Sequence, residues 1–258
     1  MANATLNTQT ASGHQILAAA GKKILRPGGH TATQQLFQWA NFKPGDRVLE
    51  LASSFGYSAI ALAKQYGVHV IGIEKNPESV ARARANVAAA GLTEQVEIRE
   101  GDIFHLEAIP EQFDFVLAEA ILTMQSAPGK AKILNSVRDR LKPGGLFLSH
   151  ELLANHHEQE IHQALAQTIR VNSTPLSEAG WITAFDAAGL QVQQHRTGPM
   201  QLLNPVQMVR DEGAIGMAKI LWNILTHPQL RQRILAMRQV FQKYRGDLGH
   251  IILCATHN

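Results

Sequence analysis

The sequence predicts an α/β protein: a doubly wound, mostly parallel sheet with a helical insertion before its last strand. Short apolar runs suited to strands covered on both faces recur along the chain, as in Val48-Leu49-Glu50-Leu51 and Val68-His69-Val70-Ile71-Gly72-Ile73. Helical stretches separate them, the alternation that builds parallel sheets. Acids then stand at the ends of successive strand-like runs, at Glu50, Glu74, Asp102 and Glu119. Ligands of open α/β sheets lie beyond the carboxyl ends of the strands, so these four carboxylates are placed to meet one.

At 258 residues, 45% hydrophobic and 17% charged, the chain accommodates one large domain with an appended subdomain and requires no second full domain. The single cysteine, Cys254, excludes an internal disulfide and a multi-cysteine zinc site; its place in Ile251-Ile252-Leu253-Cys254 predicts burial. No apolar run reaches the roughly 18 residues of a membrane span, and residues 1–12 are polar, so a soluble, cytoplasmic protein is expected. The formal net charge is +3, with basic ends and an acidic middle. Without an Arg-rich run or an aromatic-interleaved basic stripe, nucleic acid is not an expected partner.

The stretch from Asp46 to Ala63 reads as a buried strand, a small-residue turn and the opening of a helix. Small residues at such a turn let a ligand approach the backbone, and the free N–H groups of the helix start point at it. Glu50 repels a pyrophosphate there and attracts an ammonium or sulfonium. The chain here resembles the class I S-adenosylmethionine-dependent methyltransferases, whose first motif, Val-Leu-Asp/Glu-x-Gly-x-Gly-x-Gly, is matched by Val48-Leu49-Glu50-Leu51-Ala52-Ser53-Ser54-Phe55-Gly56. Ala52 and Ser54 replace two glycines. If either position needs a positive φ, the replacement costs on the order of 1 kcal/mol or shifts the loop.

Before this stretch, a helix is expected around Ile16 to Lys23, broken by Pro27-Gly28-Gly29, with Thr31 or Thr33 capping the next helix. Arg26 and His30 sit in that break, either in a plain helix-helix loop or, as the resemblance implies, in a flap over the cofactor and substrate. After the first strand and helix, Gly67 closes a turn and the second strand ends at Glu74, an acid suited to a ribose diol. Asn76-Pro77-Glu78 starts the following helix with a cap, a proline and a first-turn acid. Val96 to Glu100 alternates as a third strand, and the resemblance implies that Asp102 meets the adenine amino group while Ile103 packs on the ring. Gln112 to Ala120 reads as the fourth strand, with Glu119 leaving it toward the reaction centre. No Asn/Asp-Pro-Pro-aromatic tetrad follows, which counts against nucleic-acid base methylation.

Lys130 to Leu141 is amphipathic, followed by Lys142-Pro143-Gly144-Gly145 and the strand Leu146 to Ser149, which His150 and Glu151 are expected to leave on the active face. His150, His156, His157 and His162 lie near Glu151, Glu158 and Glu160, but no two of these histidines are four apart on one helix face, so no metal site is expected. Leu176 to Ala188 reads as a helix stopped by Gly189, and Leu190 to His195 as a strand. Pro199 to Tyr244 is helix-like in two segments, too long for a hairpin before the last strand at His250 to Cys254. Its apolar residues, among them Met200, Leu202, Met208, Ile220, Trp222 and Leu225, can line a pocket.

The resemblance implies a seven-stranded sheet of order 3-2-1-4-5-7-6, and with the long insertion before the last strand read as a lid the expected division is an N-terminal helical flap (1–44), a methyltransferase core (45–198 and 246–258) and a helical lid (199–245). It implies S-adenosylmethionine held by Glu50, Ala52, Ser54, Gly56, Glu74, Lys75, Asp102, Ile103 and Glu119. Methyl transfer to a small-molecule acceptor by in-line SN2 attack follows, with His30 or His150 as the expected base and Arg26, His30, Glu151 and Met200 as expected substrate contacts. An NAD(P)-dependent oxidoreductase shares the sheet and Glu74 but needs a Gly-x-Gly-x-x-Gly that is missing. A non-catalytic S-adenosylmethionine-binding module is the third alternative. Acceptor atom and oligomeric state stay open in the sequence.

Overall fold

Alternating apolar side chains on each strand send one set to each face of the sheet, so helices must cover both. In the computed structural model, which describes residues 7–257, that requirement produces a seven-stranded sheet of order 3-2-1-4-5-7-6. The polar opening at residues 1–6 lies outside the described residues. The strands are β1 (Arg47–Leu51), β2 (His69–Glu74), β3 (Val96–Glu100), β4 (Phe113–Glu119), β5 (Leu141–Ala154), β6 (Gln191–Pro199) and β7 (Leu248–Thr256). β1 to β5 pair in parallel, and β7 runs antiparallel to both β5 and β6. The expected order and mostly parallel character are those observed.

On one face, α2 (Gly29–Ala40), α3 (Tyr57–Tyr66) and α4 (Pro77–Ala89) pack Leu36, Phe37, Leu62 and Val87 against Val48, Val70 and Leu117, with Cys254 buried among them. On the other, α5 (Ala127–Arg140) and α7 (Glu178–Ala187) set Ile133, Val137, Trp181 and Phe185 against Leu49, Leu51, Val116 and Phe147. A third cluster joins α1 (Gly13–Ala19) and α6 (Glu158–Ile169) to α8 (Pro205–Thr226) and α9 (Pro228–Lys243) through Ile16, Leu165, Ile220, Met237 and Phe241. The N-terminal segment and the insertion between β6 and β7 therefore share one apolar core. None of the described helices is long and apolar enough to cross a membrane.

Local chemistry sets the helix ends. Ser12 and Gln15 form a capping box at α1, and Asn76 accepts the Ser79 N–H at 3.0 Å with Pro77 behind it at α4. Two expectations change. The cap of α2 is Gly28, and Thr33 sits inside the helix with its hydroxyl turned to the sheet. β5 does not end at Ser149 but runs to Ala154, because its antiparallel partner β7 keeps pairing beyond the point where β4 stops, opposite His150. His150 and Glu151 are thus mid-strand residues.

α8 is bent at Gly213, whose φ of 71° and ψ of 172° interrupt the helix. One residue earlier, Glu212 accepts the Lys23 and Ile24 N–H groups, each at 3.0 Å. That carboxylate ties the insertion to the segment preceding α2.

Candidate active site

The turn from β1 to α3 is held against its own backbone preference. Ala52 and Ser54 adopt left-handed conformations (φ 52° and 50°), as does Gly56 (φ 75°). For the two non-glycines this costs on the order of 1 kcal/mol each. Surrounding bonds over-determine the shape: Ser53 N–H donates to Ile73 O at 2.9 Å, Ser54 N–H to Glu74 Oε2 at 2.9 Å, Gly56 N–H to Ser53 O at 2.8 Å, and Asn86 Nδ2 to Phe55 O at 2.9 Å. Gly72 makes the close approach to β2 available, since a Cβ there would stand 2.8 Å from Ser53 Oγ.

Beyond this turn opens a crevice lined by Leu25, Arg26, Glu50, Ala52, Ser54 and Glu119, together with Tyr57 and Ser58. Its floor holds two buried carboxylates in unlike states. Glu119 accepts Ser58 Oγ at 2.7 Å, Thr33 Oγ1 at 2.5 Å and Arg26 Nε at 2.9 Å. Burial alone would raise its pKa, but the Arg26 guanidinium, His150 and the Thr33 hydroxyl hold it at about 2. Glu50, 5% exposed, is pushed up to about 8 by burial and then by the charge of Glu119, which outweigh the opposing effects of Arg26, Ser58 and the Ala59 N–H, and its Oε2 has no hydrogen-bond partner. Arg26 also bonds Ser58 Oγ, so one guanidinium bridges the N-terminal segment to β4 and α3.

Glu74, Lys75, Asp102 and Ile103 lie outside that lining, further along the strand ends. Glu74 gives one oxygen to Ser54 N–H and the other to Asn76 N–H at 2.8 Å. Asp102 accepts the Phe104 N–H at 3.0 Å and pairs with the exposed Lys75 at 2.7 Å, and those two donors lower its pKa. Ile103 is buried in the core with Leu106.

The two histidines expected as bases occupy other settings. His30 is exposed on α2, where its backbone N–H donates to Asp211 Oδ1 at 2.9 Å and its ring meets Gln34. His150 is fully buried. Its Nε2 accepts the Gly28 N–H at 3.0 Å, which places the ring proton on Nδ1, facing Thr33 Oγ1 at 3.2 Å and Glu119 at 3.8 Å. With its lone pair engaged and burial lowering its pKa, this imidazole fixes the 26–28 segment instead of opening toward a ligand. Glu151 is likewise buried and satisfied: it accepts the Leu122 N–H at 3.0 Å, the Thr123 N–H at 2.9 Å and the Thr123 hydroxyl at 2.6 Å, so it shapes the chain leaving β4.

Met200 does line a cavity, a second and apolar one on the other side of Leu25. Of the other residues expected there, Leu202 also lines it, whereas Met208 and Ile220 are packed in the core and Trp222 and Leu225 face solvent. Ser58 and Thr33 completed the carboxylate network without a sequence signal of their own.

The family described as "Methyltransferase domain" matches residues 42–202. The chain belongs to this methyltransferase family. Together with the 3-2-1-4-5-7-6 sheet, the match identifies a class I, S-adenosylmethionine-dependent enzyme. The methyltransferase is 36% identical over 244 residues to an uncharacterized protein of Haemophilus influenzae, a likeness covering 94% of this chain and 97% of that one. An arsenite methyltransferase of Halobacterium salinarum is 35% identical over 109 residues, but this covers 42% of the methyltransferase and only 27% of the relative. Among solved structures, a methyltransferase from Thiobacillus denitrificans in complex with S-adenosylhomocysteine shares the fold at a TM-score of 0.69 and 17% identity, covering 95% of this chain and 98% of that one. Neither the oxidoreductase nor the non-catalytic alternative gains support from these likenesses.

The residues of the methyltransferase fit its cofactor in one specific respect. Glu50 Oε2 and Ser53 Oγ are buried without partners at the crevice. Buried polar atoms are almost always hydrogen-bonded, so these two orphans in residues lining the crevice have the unmet capacity to bond a ligand's polar groups.

Proposed function

We propose that the crevice binds S-adenosylmethionine and that the methyl group passes to a small-molecule acceptor arriving from the Leu25 side. The observation carrying this reading is the partnerless Glu50 oxygen at the end of β1, inside a loop strained into a left-handed shape, in a chain of the methyltransferase family.

When bound, the cofactor supplies an electrophilic methyl carbon on a sulfonium, with a neutral thioether as leaving group. The chain supplies placement. Glu50 accepts the amino group of the methionine end, and Arg26, held by Glu119 and Ser58, stands to receive its carboxylate. Glu74 accepts the ribose diol with its remaining lone pairs, and Asp102 accepts the adenine amino group once exposed Lys75 swings aside. Ala52, Ser54 and Gly56 bring backbone close to the ligand. Thr33 and His150 position Arg26 and Gly28, so that the N-terminal segment closes over the reacting atoms and excludes water. In this reading residues 1–44 and 199–245 act together as the cover of the site, since Ile16 and Leu17 of the first share a core with Ile220 and Met237 of the second.

Titration calorimetry with S-adenosylmethionine, S-adenosylhomocysteine and NADH tests the cofactor assignment. Binding of the first two but not the third is expected, and Glu74→Ala is expected to weaken S-adenosylhomocysteine about 10- to 100-fold. Undetectable binding of S-adenosylhomocysteine would overturn it. Formation of S-adenosylhomocysteine across amine, phenol, thiol and carboxylate panels identifies the acceptor atom.

A further inference from the structure

The second cavity lies among α1, the 25–27 segment, the exit of β4, α6 and the insertion. It has a volume of about 60 Å³. Leu25 lines both this space and the crevice, and Ala120, one residue beyond Glu119, forms part of its wall. Leu25 is thus a wall common to the crevice and the apolar chamber.

The chemistry of the wall is restrictive. It contains no Asp, Glu, Lys or Arg, and His14 is its one titratable side chain. An ionised group placed there would lose its hydration, and burial lowers the His14 pKa, disfavouring the imidazolium that could offset an anion. Three methionines, Met124, Met200 and Met237, contribute flexible, polarisable surface that adapts to irregular apolar shapes and lets the chamber enlarge. Two hydroxyls reach the wall. That of Thr123 is committed, donating to Glu151 at 2.6 Å and accepting the Leu152 N–H at 3.1 Å. That of Ser173 is 1% exposed and has no partner. Its neighbour Thr174 is anchored to the Thr123 carbonyl at 2.8 Å, which fixes Ser173 in place over the chamber.

We infer that this chamber selects the acceptor, and that the acceptor class is a compact, uncharged, largely apolar molecule bearing one hydrogen-bonding group that Ser173 Oγ engages. The inference rests on the proposed methyl transfer for the word acceptor; the ligand class rests on the chamber alone. A hydroxyl both donates and accepts, so a neutral alcohol, phenol, thiol or amine satisfies it, while carboxylates, phosphates and ammonium groups are rejected by the wall.

Ligand-observed NMR and calorimetry on the full chain test this with phenol, benzene and benzoate, each with and without S-adenosylhomocysteine. Phenol is expected to bind, and benzoate at least about 100-fold more weakly. Ser173→Ala is expected to weaken phenol about 3- to 10-fold and leave benzene unchanged. Met237→Trp, which fills the chamber, is expected to exclude both; thermal melting of each variant shows that it is folded. Benzoate binding as well as phenol, or phenol binding indifferent to Ser173→Ala, overturns the inference. S-adenosylhomocysteine binding without phenol binding overturns it alone, whereas phenol binding without S-adenosylhomocysteine binding overturns the cofactor reading and with it the chamber's role as acceptor site.

Discussion

Glu50 and Glu119 line the same crevice with opposite protonation preferences, Glu50 pushed up to about 8 and Glu119 held at about 2, because Arg26 pairs directly with Glu119 at 2.9 Å while its field at Glu50 is outweighed there by burial and the Glu119 charge. One carboxylate is already matched inside the fold. The other keeps one oxygen, Oε2, without a hydrogen-bond partner.

Glu50 is therefore expected to release a proton when a cationic ligand arrives. Near neutral pH it is protonated in the free protein, and an ammonium beside it favours the ionised form. Calorimetry of S-adenosylmethionine in buffers of different ionisation enthalpy is expected to show release approaching one proton, absent in Glu50→Gln.

The same residue costs stability. Its folded pKa of about 8 lies above its ordinary 4.5, so between those values the unfolded chain has released the proton while the folded chain keeps it. Its contribution is complete below 4.5 and is lost as pH rises toward about 8. Glu50→Gln is expected to stabilise the protein near neutral pH by on the order of 1–3 kcal/mol and to flatten that slope, measured by urea denaturation at several pH values. A variant less stable than the parent at neutral pH would contradict this.

Arg26→Met leaves Glu119 buried without its cation, and removing one partner of a buried pair costs about 3–5 kcal/mol. Arg26→Met combined with Glu119→Gln is expected to recover more than half of that loss. Chemical denaturation of the four proteins of the cycle measures the coupling, and simple additivity would refute the pairing.

Ala52→Gly and Ser54→Gly relieve left-handed conformations that an L side chain resists. Each is expected to raise stability by about 0.5–1 kcal/mol, since the conformational relief outweighs the added freedom of the unfolded chain. Thermal melting checks this; Ala52→Val is expected to shift the midpoint the other way.

Glu212→Ala removes the acceptor that ties α8 to the Lys23 and Ile24 amides. Hydrogen exchange is expected to quicken over residues 20–30 and 205–215 while the sheet stays protected. Unchanged exchange there would mean that the tie does not hold the insertion.

By itself the sequence determined the doubly wound sheet, its acid-ended strands, and the turn in which Ala52 and Ser54 replace expected glycines, because these depend on local periodicity, turn chemistry and chain order. Only the tertiary structure decided what His150, Glu151, Thr33 and Ser58 do. Thr33 meets Glu119 across 86 positions and Gly28 meets His150 across 122, separations over which no local pattern carries information. His150 and Glu151 are ionisable residues near a strand end, which in sequence is indistinguishable from a catalytic placement; the longer β5, extended by antiparallel pairing with β7, places them mid-strand and buried, where backbone N–H groups and the Thr33 and Thr123 hydroxyls engage their polar atoms. The chamber beside Ser173 comes from α1, the chain leaving β4, α6 and α9 meeting, and it exists only where those distant segments converge.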